Sequence, residues 1–154
     1  MILYHFTAHA RLEAILREGL NRGEAPISDR QALNAVNLTT SSDPFGHGLD
    51  NSGKVLSDDD CARLFLATGQ RVAPGTVYAN KRAVRIAVKI PSSDRALKQW
   101  LPWARKHVEP EFLARLHRAA GSEPKFKTWW LYFGTVPPSA FVAVDILEPE
   151  SEAA

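Results

Sequence analysis

The fold is decided by the opening stretch Ile2-Leu3-Tyr4-His5-Phe6-Thr7 and by the helical segment that follows it. The stretch predicts a short apolar strand, and since side chains alternate along a strand, His5 and Thr7 share one face. The next apolar residues recur at helical spacing, at Leu12, Ile15, Leu16 and Leu20. Thr7 is expected to cap this helix, and Gly19 to end it.

Further elements can be read outward from this start. We expect a loop between Asn21 and Asn34, and a helix from Ser57 to Gly69, with a strand over Arg63 to Ala67 as the competing interpretation. Asp94 is expected to cap a helix through Ala104 that Pro102 kinks or breaks, and Pro110 to begin another. Strand patterns are predicted at Ala35–Ser41, Ala83–Ile90, Trp129–Phe133 and Phe141–Ile146.

This order of elements predicts an α+β protein rather than a doubly wound sheet, because the late strands follow one another without helices between them. The chain has 154 residues, the size of one ordinary domain. We therefore expect a single domain over residues 1–147 and a frayed tail over 148–154.

Composition narrows the functional classes. The formal net charge is +2, which is far from the charge density of a dedicated nucleic-acid binder, although the second half is the more basic one. Cys61 is the single cysteine, so no internal disulfide forms, and the five histidines show no paired metal-ligand spacing. No apolar run is long enough to span a membrane and signal-peptide features are missing, so the expected location is the cytoplasm.

Three segments, in this order, resemble ADP-ribosyltransferase-fold groups, including the DNA-targeting ADP-ribosyltransferase toxins and the RNA 2′-phosphotransferases. They are Tyr4-His5-Phe6-Thr7, Val36-Asn37-Leu38-Thr39-Thr40-Ser41 and Val136-Pro137-Pro138-Ser139-Ala140-Phe141. The resemblance implies an ADP-ribosyltransferase-like fold of split antiparallel β-sheets with flanking helices and a cleft that binds NAD. It also implies that ADP-ribose passes to a macromolecular acceptor, nucleic acid or protein.

The same resemblance assigns roles in this cleft. His5 is expected to hold the nicotinamide ribose, with Tyr4 and Thr7 beside it. The second-strand hydroxyls are expected to line the same cleft, at Thr39, Thr40 and Ser41. Departure of nicotinamide leaves an oxocarbenium-like ribose carbon, so the site must orient the ribose and stabilise positive charge.

The chain departs from the toxins' pattern at the position of their glutamate, which Trp129 occupies. No carboxylate occurs from Lys125 through Ala143, and the nearest acid is Glu123 in the preceding loop. Glu123 is therefore the candidate catalytic acid if its loop folds over the cleft. The indole of Trp129 can stack on a nicotinamide, an adenine or a nucleic-acid base, or can fill and close the site.

His47 lies between two glycines in Phe45-Gly46-His47-Gly48. Glycines allow a backbone to approach a ligand closely, so His47 is a further candidate for cofactor binding, although a plain turn has the same composition. The departure at Trp129 leaves a second hypothesis open: a catalytically degenerate member of the fold that binds protein or nucleic acid.

Overall fold

The computed structural model describes residues 1–49, 54–68, 71–119 and 125–150. The strands in these ranges are β1 (Ile2–Thr7), β2 (Glu24–Pro26), β3 (Ala32–Asn34), β4 (Val36–Thr39), β5 (Val84–Lys89), β6 (Leu97–Gln99), β7 (Trp129–Tyr132) and β8 (Phe141–Ile146). The helices are α1 (His9–Glu18), α2 (Asp58–Thr68), α3 (Trp100–His107) and α4 (Pro110–Ala119), with short 3₁₀ turns at Phe126–Thr128 and Pro138–Ala140.

Six strands form an antiparallel sheet in the order β6-β7-β4-β1-β5-β8, and β2 pairs with β3 separately. This mixture of sheet and helices confirms the predicted α+β class. Strand β1 pairs with β5 along its whole length, from Ile2↔Lys89 to Thr7↔Val84. Strands β1 and β4, in contrast, share the single ladder pair Tyr4↔Thr39. Within this one sheet, the three-stranded parts β6-β7-β4 and β1-β5-β8 are thus joined by a single ladder pair, and we call this junction between β1 and β4 the split.

The sheet has two faces, and two residues paired across neighbouring strands point to the same face. The first face carries His5 and the central apolar residues of the sheet: Leu3, Val36, Leu38, Val84, Ile86 and Val88. Leu12 and Ile15 of α1 pack on it. Leu12 and Ile15 are partly buried, so the apolar area that they remove from water holds α1 on the first face.

The second face carries Tyr4, Phe6 and the buried Leu131. Helix α3 packs there through Trp100, Trp103 and Ala104, and Phe126 and Trp129 extend the same cluster. Three of the four tryptophans therefore pack on this face, while Trp130 packs on the first.

Helix α1 ends as the sequence predicts, at Gly19, whose φ of 87° lies in the left-handed region that favours glycine. A Cβ added here would collide with the carbonyl oxygen of Val136. The close approach is held by two backbone bonds between Leu20 and Val136, with N–O distances of 2.9 and 2.8 Å. They fasten the end of α1 to the turn before β8.

Strands β5 and β8 and the start of α4 at Pro110 are confirmed, and α2 is a helix rather than the competing strand. Three predictions were wrong. The expected loop from Asn21 to Asn34 contains the β2–β3 ribbon. The N-cap of α1 is Ala8, while Thr7 stays in β1 and is buried.

The third error concerns Asp94. Its helix begins at Trp100, because Leu97–Gln99 pairs with β7 as an edge strand. The Asp94 carboxylate instead accepts the amide of Ala96 (2.9 Å) and the hydroxyl of Tyr132 (2.9 Å). Pro102 therefore lies in the first turn of α3, where its missing N–H has no intrahelical partner to lose.

At the C-terminal end, the Glu148 carbonyl accepts a 2.6 Å bond from the imidazole of His9. The Glu148 amide donates to Ala83 (3.1 Å), while residues 151–154 of the predicted tail lie outside the described ranges. Of the helices in those ranges, none is long and apolar enough to cross a membrane.

Candidate functional site

His5 lies at the split, on the β1 side. Its Nδ1–H donates to the backbone carbonyl of Asn37 across the gap, at 2.9 Å. Burial lowers the pKa of His5, and the nearby cations Arg11 and Lys81 lower it further, against the opposing effect of the Asn37 bond. His5 is therefore neutral at pH 7. Because Nδ1 carries the proton, Nε2 presents a lone pair, and no described residue donates to it.

The surroundings of His5 are basic. Arg11 is exposed at the start of α1, and Lys81 is exposed just before β5. Both lie close enough to His5 to disfavour its protonated form. Positive charge in this neighbourhood favours an anionic ligand.

The structure does not bring the predicted site residues into one cleft. Thr7 shares the first face with His5 and is buried against Val84. The pair Tyr4↔Thr39 lies on the second face, and so does Trp129, the partner of Thr39 in β7. The single-cleft expectation fails for His5 and Thr39, because the strand register turns their side chains to opposite faces.

Thr39 belongs to a chain of protein hydrogen bonds. Its buried hydroxyl accepts the amide of Ser41 at 3.0 Å and lies 2.8 Å from the hydroxyl of Thr128. Thr128 donates its own proton to the carbonyl of Lys125 at 2.7 Å, so Thr39 is the donor between the two. Thr39 therefore holds the 3₁₀ turn before β7 against β4. The Thr40 side chain, in contrast, is exposed.

A hydrogen bond joins Trp129 of the second face to His47 of the loop 42–48. The indole Nε1–H donates to Nδ1 of His47 at 2.9 Å, and the rings lie 6.3 Å apart between centroids. Nε2 of His47 lies 2.9 Å from the Asp43 carbonyl. An indole N–H can only donate, so Nδ1 of His47 carries no proton and the ring is the neutral Nε2–H tautomer. Burial lowers the pKa of His47 accordingly.

The His47 ring also stacks on Phe6 of β1, with a centroid separation of 5.7 Å and an interplanar angle of 25°. Behind Trp129 lies Trp100, whose ring meets it edge-on at 5.2 Å. We call the space between Phe6 and Trp129 the aromatic slot. Its two walls come from different halves of the split sheet.

The loop 42–48 that carries His47 is tied to other segments by Lys125 and Arg85. Lys125 Nζ donates to Asp43 at 2.9 Å, and Arg85 donates to the carbonyl of Ser42 at 2.9 Å. The other Asp43 oxygen accepts the amide of Phe45 at 3.0 Å. That amide and Lys125 hold the pKa of Asp43 below its usual value. Asp43 is therefore an ionised structural anchor.

Among the described residues near the split, the two aspartates are both paired with cations, so neither is assigned as a catalytic acid. Asp43 is bound by Lys125, and Asp145 is paired with Arg85 at 3.1 Å. Glu123, the predicted acid, lies outside the described ranges. No cluster of three histidine, cysteine, aspartate or glutamate side chains within those ranges can hold a metal ion.

The site roles of Phe6, Asn37 and Lys125 were not predicted from the sequence. Phe6 had a local signal, because it lies next to His5 in the opening strand and points to the opposite face. The other two roles depend on contacts between distant segments. Comparison of the chain with protein-family models, curated proteins and solved structures gives no match.

Proposed function

We propose that this chain is an NAD-binding protein with an ADP-ribosyltransferase-like fold, and that it transfers ADP-ribose to a macromolecular acceptor. The observation that carries the proposal is the split in the sheet, where the halves share the pair Tyr4↔Thr39 and His5 bridges the gap to Asn37. A split antiparallel sheet with a first-strand histidine at the split is the arrangement that the opening motif implies.

The groups around His5 fit NAD. Nε2 of the neutral imidazole can accept a bond from a ribose hydroxyl and so fix the orientation of the sugar. Arg11 and Lys81 supply positive charge for the pyrophosphate. His5 is thus assigned to orienting the ribose, and the two cations to binding. NAD itself supplies the ribose carbon that is transferred and the nicotinamide that leaves.

Glu123 is proposed as the acid that stabilises the positive charge at the ribose. Near the split, Asp43 and Asp145 are paired with Lys125 and Arg85, whereas Glu123 is the nearest carboxylate before Trp129 in the sequence. A Glu123→Gln variant is expected to bind NAD with unchanged affinity and to lose label transfer from NAD. Undiminished transfer by this variant contradicts the assignment.

The NAD site is tested by calorimetry with the pure protein. His5→Ala removes the Nε2 acceptor and is expected to weaken NAD binding roughly tenfold, the effect of losing about 1.4 kcal/mol. His107→Ala is the matched control, because His107 is an exposed imidazole stacked on Trp103, away from the split. Absence of binding at millimolar NAD, or equal loss in both variants, overturns the proposal.

One observation favours a second function, that of a catalytically degenerate binding module. Trp129 stands where the toxins carry glutamate, and its N–H is engaged by His47. This alternative predicts salt-dependent binding of an oligonucleotide or a protein partner, unchanged in His5→Ala, without NAD binding. Label transfer from NAD by the wild type excludes it.

A further inference from the structure

The aromatic slot is filled by a side chain of the protein itself. His47 presents a flat heteroaromatic ring that stacks on Phe6 and accepts the indole N–H of Trp129 in its plane. The stacking requires a flat ring, and the hydrogen bond requires an acceptor atom in the plane of that ring. Any ring with these two features can take the place of the imidazole.

His47 enters the slot from a loop, whereas Phe6 and Trp129 lie in β1 and β7. Gly46 and Gly48 flank His47 with φ of 82° and 75°. A Cβ at Gly48 would meet nothing within 4 Å, while one at Gly46 would contact the Lys125 side chain. The bonds that hold the loop through Asp43 and Ser42 are exposed, and the bond between Trp129 and His47 is partly buried. Displacement of His47 therefore breaks contacts of the loop and leaves the strands that carry Phe6 and Trp129 paired.

We propose that the aromatic slot binds a nucleobase, and that His47 occupies its place in the free protein. A nucleobase stacks on Phe6 and offers a ring nitrogen or carbonyl oxygen to the Trp129 N–H. This inference rests on the proposed function, since it supplies the base-binding part of a nucleotide or nucleic-acid substrate. Lys125 and Arg85 border the loop but are already paired with Asp43 and Asp145, so the base rather than an attached phosphate is expected to carry recognition at the slot.

The slot lies on the second face, whereas the His5 side chain lies on the first. Binding at the slot is therefore expected to persist in His5→Ala. The two proposals can therefore fail separately. AMP binding by His47 variants tests the nucleobase site, and NAD binding by His5→Ala tests the NAD site.

The test follows the indole N–H resonance of Trp129 in nitrogen-15-labelled full-length protein, assigned by its loss in Trp129→Phe. AMP is expected to shift this resonance, and ribose 5-phosphate, which lacks the base, is not. His47→Ala empties the slot and is expected to bind AMP roughly tenfold more tightly, because no imidazole must be displaced. His107→Ala is expected to bind AMP like the wild type.

A second titration tells whether the base belongs to a free nucleotide or to a nucleic acid. It uses a short single-stranded DNA and a matched strand of abasic sites. Tighter binding of the base-containing strand than of AMP assigns the slot to a nucleic-acid acceptor, and the reverse order assigns it to a free nucleotide. Equal shifts with ribose 5-phosphate, or unchanged AMP affinity in His47→Ala, overturn the inference. Phe6→Leu checks the stacking wall separately and is expected to weaken AMP binding.

Discussion

Replacing Thr39 by valine removes a hydroxyl and leaves the shape of the side chain almost unchanged. The Thr39 side chain is 4% exposed. Its hydroxyl accepts the Ser41 amide and donates to Thr128, so two hydrogen bonds disappear together. Valine is β-branched like threonine and suits a strand, so the change isolates the hydrogen bonds from packing and strand propensity.

The size of the effect follows from the number of bonds. Each intramolecular hydrogen bond contributes about 0.5–1.5 kcal/mol, so Thr39→Val is expected to lower the free energy of unfolding by about 1–3 kcal/mol. For a chain of this length, 1 kcal/mol corresponds to roughly 2–4 °C in melting temperature. Thr40→Val is the control, because the Thr40 side chain is exposed and a substitution there usually changes stability by less than about 0.5 kcal/mol.

The assay is urea denaturation followed by the tryptophan signal, with NAD calorimetry on the same proteins. Thr39→Val is expected to be less stable than Thr40→Val and to keep the NAD affinity of the wild type in conditions where it is folded. Equal stability of the two variants refutes the hydrogen-bond argument. A selective loss of NAD affinity in Thr39→Val restores the role in cofactor binding that the sequence suggested.

Two further predictions concern backbone geometry and pH. Gly19→Ala is expected to be strongly destabilising because its Cβ meets the Val136 carbonyl, whereas Gly48→Ala incurs only the left-handed φ penalty of about 1–2 kcal/mol; comparable melting temperatures contradict this. The folded-state pKa values of His5 and His47 are lowered, so their stabilising contribution is complete above the ordinary histidine value and is lost as the pH falls through the folded values. Acidification should lower the melting temperature less in His47→Gln than in the wild type. An equal decrease in the two proteins argues against a neutral His47.

Local sequence patterns were sufficient for several elements. Alternation of apolar residues predicted β5 and β8, and Pro110 marked the start of α4, because these signals depend on neighbours in the chain. The β2–β3 ribbon and β6 could not be found in this way. They are three residues long, and β6 exists through its pairing with β7, more than thirty residues later.

The candidate site was predicted in part. The opening motif placed His5 correctly in the first strand, and the position of Trp129 at the start of β7 was anticipated. The register between β1 and β4 decides which side chains share a face, and no local pattern specifies it. The bond between Trp129 and His47 joins residues far apart in the sequence, so it required the structure.

NAD binding at the split is tested by titrating nitrogen-15-labelled protein with NAD and following the backbone amides on both sides of the split. Saturable shifts are expected at Tyr4, His5, Phe6 and Asn37, with little change in α4. Unchanged spectra at millimolar NAD, or shifts confined to residues away from the split, contradict this binding.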